Sequence, residues 1–132
     1  MNHKYHVDGT QPNSDQIFVF GSNMSGIHGA GAAKAARQHY GAVLGVPRGH
    51  VGRSYALPTV KLGISGPLPL FQIEAEVADF LVYARMHSHL EFFVTRVGCG
   101  LAGHFDHQIA PMFTEAPENC SLPNTWQQYL EN

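Results

Sequence analysis

Charge is scarce in this sequence. Asp, Glu, Lys and Arg make up 14% of the 132 residues, and 8 basic against 10 acidic side chains leave a net charge of -2. With a pI of about 6.5 the chain has no general attraction for a polyanion, which argues against nucleic-acid binding through a basic face. Long apolar runs are missing as well: none approaches the ~18–20 residues that a membrane-spanning helix needs. The opening Met-Asn-His-Lys-Tyr-His lacks the apolar core of a secretory signal. Cysteine occurs only twice, and Cys99 lies between two glycines, a poor context for a structural staple. These absences lead to the expectation of a reduced, cytoplasmic protein without a membrane partner. There is no Cys-x-x-Cys, and none of the nine histidines pairs at i, i+4 as in a zinc protease, so neither a metal nor another cofactor is expected.

What is present is apolar residues, at 44%, and glycine, at 14 positions. That balance belongs to a compact chain, and the length suits one domain over residues 1–132 with a polar lead-in at 1–16. Within the lead-in, residues 4–7 read as an edge strand. A first strand is expected at 17–20, apolar on both faces as in the middle of a parallel sheet. A helix follows at about 29–40, its alanines suited to close packing and its end marked by Gly41. Residues 41–52 read as loop, 54–58 as a second strand closed by Pro58, and 60–70 as a surface connection carrying Gly63, Gly66, Pro67 and Pro69, a candidate lid.

The longest helix is expected at 71–88, with Ile73, Val77, Phe80, Leu81 and Ala84 on one stripe. A third strand at 91–97, a helix at 106–114, a short strand at 120–122 and a terminal turn around Trp126 complete the chain. Strands alternating with helices indicate an α/β fold with a mostly parallel sheet.

Two stretches carry the chemistry. Ile17-Phe18-Val19-Phe20 gives way to Gly21-Ser22-Asn23, and Gly29-Ala30-Gly31 then opens the first helix. Later, the third strand runs into Gly98-Cys99-Gly100-Leu101-Ala102-Gly103. A strand followed by a glycine loop and a helix sets unpaired backbone N–H groups where phosphate oxygens can meet them. Both loops follow strand ends, where ligands of parallel sheets bind, so both are expected on one crevice. Neither matches a Walker A loop, since no Gly-Lys-Ser/Thr follows, and the first is too long for a dinucleotide fingerprint.

Asn23 is either a ligand for a sugar hydroxyl or a turn-forming residue. Cys99 is a nucleophile or a small packing residue. Asp106, His104 and His28 are the ionisable groups beside the loops, and each also reads as an ordinary structural residue. Phe105 and Tyr55 are either stacking surfaces for a base or core.

Taken in order, Asn23 with Gly29-Ala30-Gly31-Ala32-Ala33 and Val97-Gly98-Cys99-Gly100-Leu101-Ala102-Gly103 resemble the macrodomain family of ADP-ribose-binding modules. The Gly-Cys-Gly-Leu run is similar to the branch that includes terminal ADP-ribose glycohydrolases, and the whole pattern resembles small phage and bacterial macrodomain-like proteins. The resemblance covers about 17–113. It implies a three-layer α/β/α sandwich and an ADP-ribose-like nucleotide, with the diphosphate between the loops and a ribose near Asn23. It also implies, in an enzymatic version, hydrolysis of an ADP-ribosyl or phosphate ester bond with Asp106 positioning water and His104 or His28 assisting. The sequence departs from the hydrolytic patterns at Ala33 and Ala102, where those branches carry aspartate, and neither Lys34 nor Lys61 matches a motif. A nucleotide sensor or sponge and a protein-interaction domain are the competing classes; oligomeric state is not legible.

Overall fold

The computed structural model describes residues 3–62 and 66–131. Among these, six strands form one sheet, β1 (Lys4–His6), β2 (Gln16–Asn23), β3 (Gly49–Val51), β4 (Ser54–Val60), β5 (Glu91–Val94) and β6 (Cys120–Pro123), in the order β1-β6-β5-β2-β4-β3. All neighbours are parallel except β3 and β4. The helices are α1 (Gly31–His39), α2 (Leu70–Met86), α3 (Asp106–Ile109) and α4 (Gln127–Leu130), with short 3-10 turns at Gly100–Ala102, Ala110–Phe113 and Asn124–Trp126.

Alternation along the central strands sorts the side chains into two cores, because successive residues of a strand point to opposite faces. Ile17 and Val19 of β2 and Phe92 and Val94 of β5 join the larger core, which the α2 stripe of Ile73, Val77, Phe80, Leu81 and Ala84 covers together with Phe113 and Trp126. Phe18, Phe20, Ala56 and Phe93 face the other way, onto Ala36 with Ala32 and Ala33 of α1. The molecule is therefore an α/β sandwich whose two helical layers are unequal. The alanine face lets α1 lie close over β2 and β4, and Gly41 ends it as expected, with the Ala42 N–H returning to the Ala36 carbonyl at 3.1 Å.

Several boundaries differ from the sequence reading, each for a local reason. β2 does not stop at Gly21 but continues to Asn23, since Gly21 and Ser22 pair with Leu57 and Pro58. β4 likewise runs through Pro58 to Val60. Phe18 donates to the Arg53 carbonyl, so alternate β4 residues turn their amides to β2 while Pro58 faces away, beyond Ala56 where β3 has ended. β3 lies within the expected 41–52 loop, and its three residues are too few to show a period. Thr95 makes the last ladder bond of β5, to the Val19 carbonyl, and the strand ends at Val94 because the chain then turns tightly, Val97 N–H to Thr95 carbonyl at 2.7 Å. The helix expected at 106–114 is α3 followed by a 3-10 turn, where Pro111 lacks the amide an α-helix would use. Of the connector read as a lid, Gly63 lies outside the described residues.

Between Ser22 and Asn23 the β2–β4 register skips one residue, leaving Thr59 as a bulge. Its carbonyl accepts from Leu68 instead of β2, which ties the start of α2 to the sheet. The β2–α1 loop is held from the other side. Gly26 has φ +69°, its carbonyl accepts the Gly45 N–H at 2.9 Å, and a Cβ there would lie 2.6 Å from the Gly45 carbonyl carbon. Gly26→Ala is expected to cost about 1–3 kcal/mol in urea unfolding, from left-handed strain and the contact with backbone; an unchanged midpoint would show that the loop is not seated as described.

Candidate functional site

A cleft of about 790 Å³ opens at the carboxyl ends of β2 and β5, between α1 and the β5–β1 half of the sheet. Gly21, Ser22, Asn23, Gly29, Ala30 and Gly31 line it from the first loop, and Gly98, Cys99 and Ala102 from the second. The loops do converge. A Cβ added to Gly21 would sit 3.0 Å from the Thr59 hydroxyl, a tight approach, and 3.6 Å from the Gly98 amide nitrogen, an ordinary contact, so the strand end and the second loop lie side by side. At Gly98 a Cβ would meet Ile109 at 3.0 Å, with φ at +76°.

The first loop presents a helix N-terminus to the cleft. Ala30 is the N-cap of α1, makes no side-chain cap, and no acidic residue occupies the first turn. Gly31, Ala32 and Ala33 all line the cleft. Their amides belong to the helical turn that has no intrahelical acceptor, and the helix dipole adds about half a positive charge there. An anion is the complementary ligand. Asn23 shapes this loop rather than reaching across it: its Nδ2 donates to the Ile27 carbonyl at 2.7 Å, and its Oδ1 accepts the Ile27 N–H at 2.9 Å. Ser22 is buried and donates to the Pro47 carbonyl.

The second loop carries the cleft's guanidinium. Arg96 donates through Nε and Nη2 to the two oxygens of Asp106 at 2.9 and 2.6 Å. The indole of the fully buried Trp126 donates to the same Asp106 Oδ1 at 2.8 Å. Burial pushes the Asp106 carboxyl up, but its bonds from Arg96, Trp126 and Cys99 outweigh this and hold it below the usual range. Arg96 Nη1 lies 3.8 Å from Asp8, which also borders the cleft. Burial, with the Asp106 charge adding to it, pushes the Cys99 thiol up to about 12. A thiol raised in this way is a weak nucleophile near neutral pH, in keeping with the packing alternative.

Along its other reach the cleft is aromatic. The His6 and Phe93 rings stack at 3.7 Å and the Phe18 and Tyr40 rings at 4.5 Å, and all four border it. Burial holds the His6 imidazole down at about 4, so it is neutral near pH 7.

The remaining residues named from sequence have other places. Gly100 and Gly103 belong to the second loop but do not border the cleft, and a Cβ on Gly100 meets nothing within 4 Å; the Leu101 side chain lies outside what is described. Asp106 is turned to Arg96 and Trp126. His104 donates from Nε2 to the Leu68 carbonyl at 2.8 Å, joining the second loop to the chain before α2. His28 is buried, edge-on to Phe20, with Nε2 on the Val43 carbonyl at 3.1 Å. Phe105 is 65% exposed and stacks on His107. Tyr55 is core. None of these lies in the lining of the cleft.

Sequence reasoning passed over Arg96, Asp8, His6, Phe18, Tyr40 and Phe93. Their signal was weak: Arg96 is separated from the Gly-Cys-Gly run only by Val97, and Asp8 stands in a polar turn whose nearness to β5 depends on β1 pairing with the last strand. Among the described residues no group of three or more His, Cys, Asp or Glu could hold a metal ion, and no helix is long and apolar enough to cross a membrane.

No protein-family model matches the chain, and no curated protein matches it. Solved structures do. The macrodomain of Mycobacterium tuberculosis DarG superposes with a TM-score of 0.60 at 18% identity, covering 89% of this chain and 96% of that one. A protein of unknown function from Bacteroides thetaiotaomicron gives 0.62 at 18% identity, covering 93% and 98%. These likenesses establish a macrodomain-like fold.

The state of Cys99 is open to chemical test. In the folded protein at pH 8, iodoacetamide is expected to label it more than ~10 times more slowly than in the urea-unfolded chain, because the thiolate is the reacting form. Equal rates by mass spectrometry would contradict the assignment.

Proposed function

We propose that this chain, whose fold is macrodomain-like, binds ADP-ribose or a closely related NAD-derived nucleotide. The observation that carries the reading is the bare N-terminus of α1 facing the cleft opposite Gly21, Gly98 and Cys99. A diphosphate there is held by main-chain N–H donors from Gly31 to Ala33 and from the second loop, with the α1 dipole behind it. Small residues on both sides allow the phosphates to approach the backbone. The aromatic reach lined by Phe18, Tyr40, Phe93 and His6 suits the planar base, and the intervening cleft the sugar. Asn23 contributes by fixing Ile27 and the course of the loop.

Binding without turnover is the form the side chains favour. General-base hydrolysis needs a carboxylate within hydrogen-bond reach of a water at the ribose. Asp106 already accepts from Arg96 and Trp126, His104 is spent on Leu68, and His28 is buried beneath the loop. The protein thus acts as a sensor or sequestering partner for the nucleotide, in a reducing cytoplasm.

Thermal unfolding with ADP-ribose at 100 times its dissociation constant is expected to show about 2.7 kcal/mol of added stability, with no such shift from adenosine alone. Ala30→Asp separates folding from binding. A carboxylate at the N-cap is expected to raise the unfolding free energy by ~1 kcal/mol, while its charge repels the diphosphate and weakens ADP-ribose binding more than ~10-fold. A stabilised variant that binds as tightly as the parent would move the phosphate site elsewhere.

A further inference from the structure

Arg96 is the one lysine or arginine among the residues lining the cleft, and a phosphate would be its obvious partner. Its surroundings point elsewhere. Two carboxylates flank the guanidinium, Asp106 in a two-point bond and Asp8 at 3.8 Å. His6, the next titratable group, is neutral, and the Cys99 thiol is uncharged. One cation against two anions leaves a local charge of -1, which repels a phosphate rather than drawing it. The bond to Asp106 uses Nε and Nη2, while Nη1, lying beyond hydrogen-bond distance of Asp8, keeps its hydrogens for another acceptor.

The position of that free donor is set by the fold. Stacking of His6 on Phe93 brings the end of β1 against the end of β5, so the guanidinium stands at the edge of the aromatic reach of the cleft. Asp106, itself anchored by the buried Trp126 indole, fixes the plane of the fork. A rigid donor beside stacked rings, in a patch that rejects negative charge, matches an uncharged acceptor on the rim of a planar heterocycle.

We infer that Arg96 is the residue that distinguishes one nucleobase from another, donating Nη1 to an uncharged acceptor on the base edge, with Asp106 and Trp126 as its positioning residues. This rests on the nucleotide-binding reading above and adds the source of its base selectivity. The diphosphate is left to the backbone of the two loops.

The test is a calorimetric cycle with three probes that differ only in the base: ADP-ribose and its inosine and uridine counterparts. In the wild-type protein the affinities are expected to spread at least ~10-fold, the size of one hydrogen bond to a charged group. In Arg96→Gln the spread is expected to collapse to within ~3-fold, chiefly through loss of the best ligand. Arg96→Lys keeps the charge but not the fork held by Asp106 and is expected to lose the spread as well. Asp106→Asn is expected to narrow the spread while all three probes still bind, a change that a purely structural role would not produce. Equal weakening of all three probes in Arg96→Gln, or full retention of the wild-type pattern in Arg96→Lys, would overturn the inference while leaving nucleotide binding intact. Failure of the wild-type protein to bind any of the three would overturn the nucleotide reading itself.

Discussion

The structure depends on how closely the end of β2 approaches the second glycine loop. Gly21 stands close against the Thr59 hydroxyl and beside the Gly98 amide, and Gly98 in turn stands against Ile109. A Cβ at either position would make the neighbouring side chain give by a few tenths of an ångström, and at Gly98, with φ at +76°, it would add backbone strain. The contact draws together two segments nearly eighty residues apart. It also explains the Thr59 bulge, which turns the Thr59 carbonyl out to Leu68 while its side chain covers Gly21. Bulges recur beside functional sites because they re-aim a strand end without disturbing the rest of the ladder.

From this contact follows a cleft whose charge complementarity comes from the main chain. Side-chain cations would be the usual means of holding a diphosphate, and this sequence has few. In the proposed nucleotide-binding reading the α1 N-terminus would take their place at no cost in side-chain entropy, since its donors are already fixed by the helix. The single guanidinium in the lining is held by a carboxylate that a buried indole holds in turn. Each layer of that chain lowers the freedom of the next.

Much of the fold was legible because period and glycine placement are local signals. The α2 stripe from Ile73 to Ala84 is buried as its spacing indicates, and the α/β sandwich follows from the alternation of elements. The convergence of Gly21–Gly31 with Gly98–Ala102 was also legible, since glycine loops after parallel strands can face only one end of a sheet. What stayed hidden was pairing between distant side chains. Asp106 beside a glycine loop looks like a base until Arg96 and Trp126 are seen on its two oxygens. Asn23 lines the cleft, but the hold of Ile27 on both ends of its amide shows in no spacing. Three residues of β3 carry no period, and Pro58 marks a strand exit only where both edges of the strand are paired. Gly100, in the same glycine run as Gly98, turns its Cα hydrogen to open space, a distinction fixed by backbone dihedrals and invisible in composition.

The most direct test of the central claim is an amide-resolved NMR titration of the labelled protein with ADP-ribose. Main-chain capture from both loops predicts large concerted shifts at the Gly31, Ala32 and Ala33 amides together with those of Gly98 and Cys99, saturating on one binding curve. Shifts confined to one loop, or appearing first at residues away from the cleft, would contradict it.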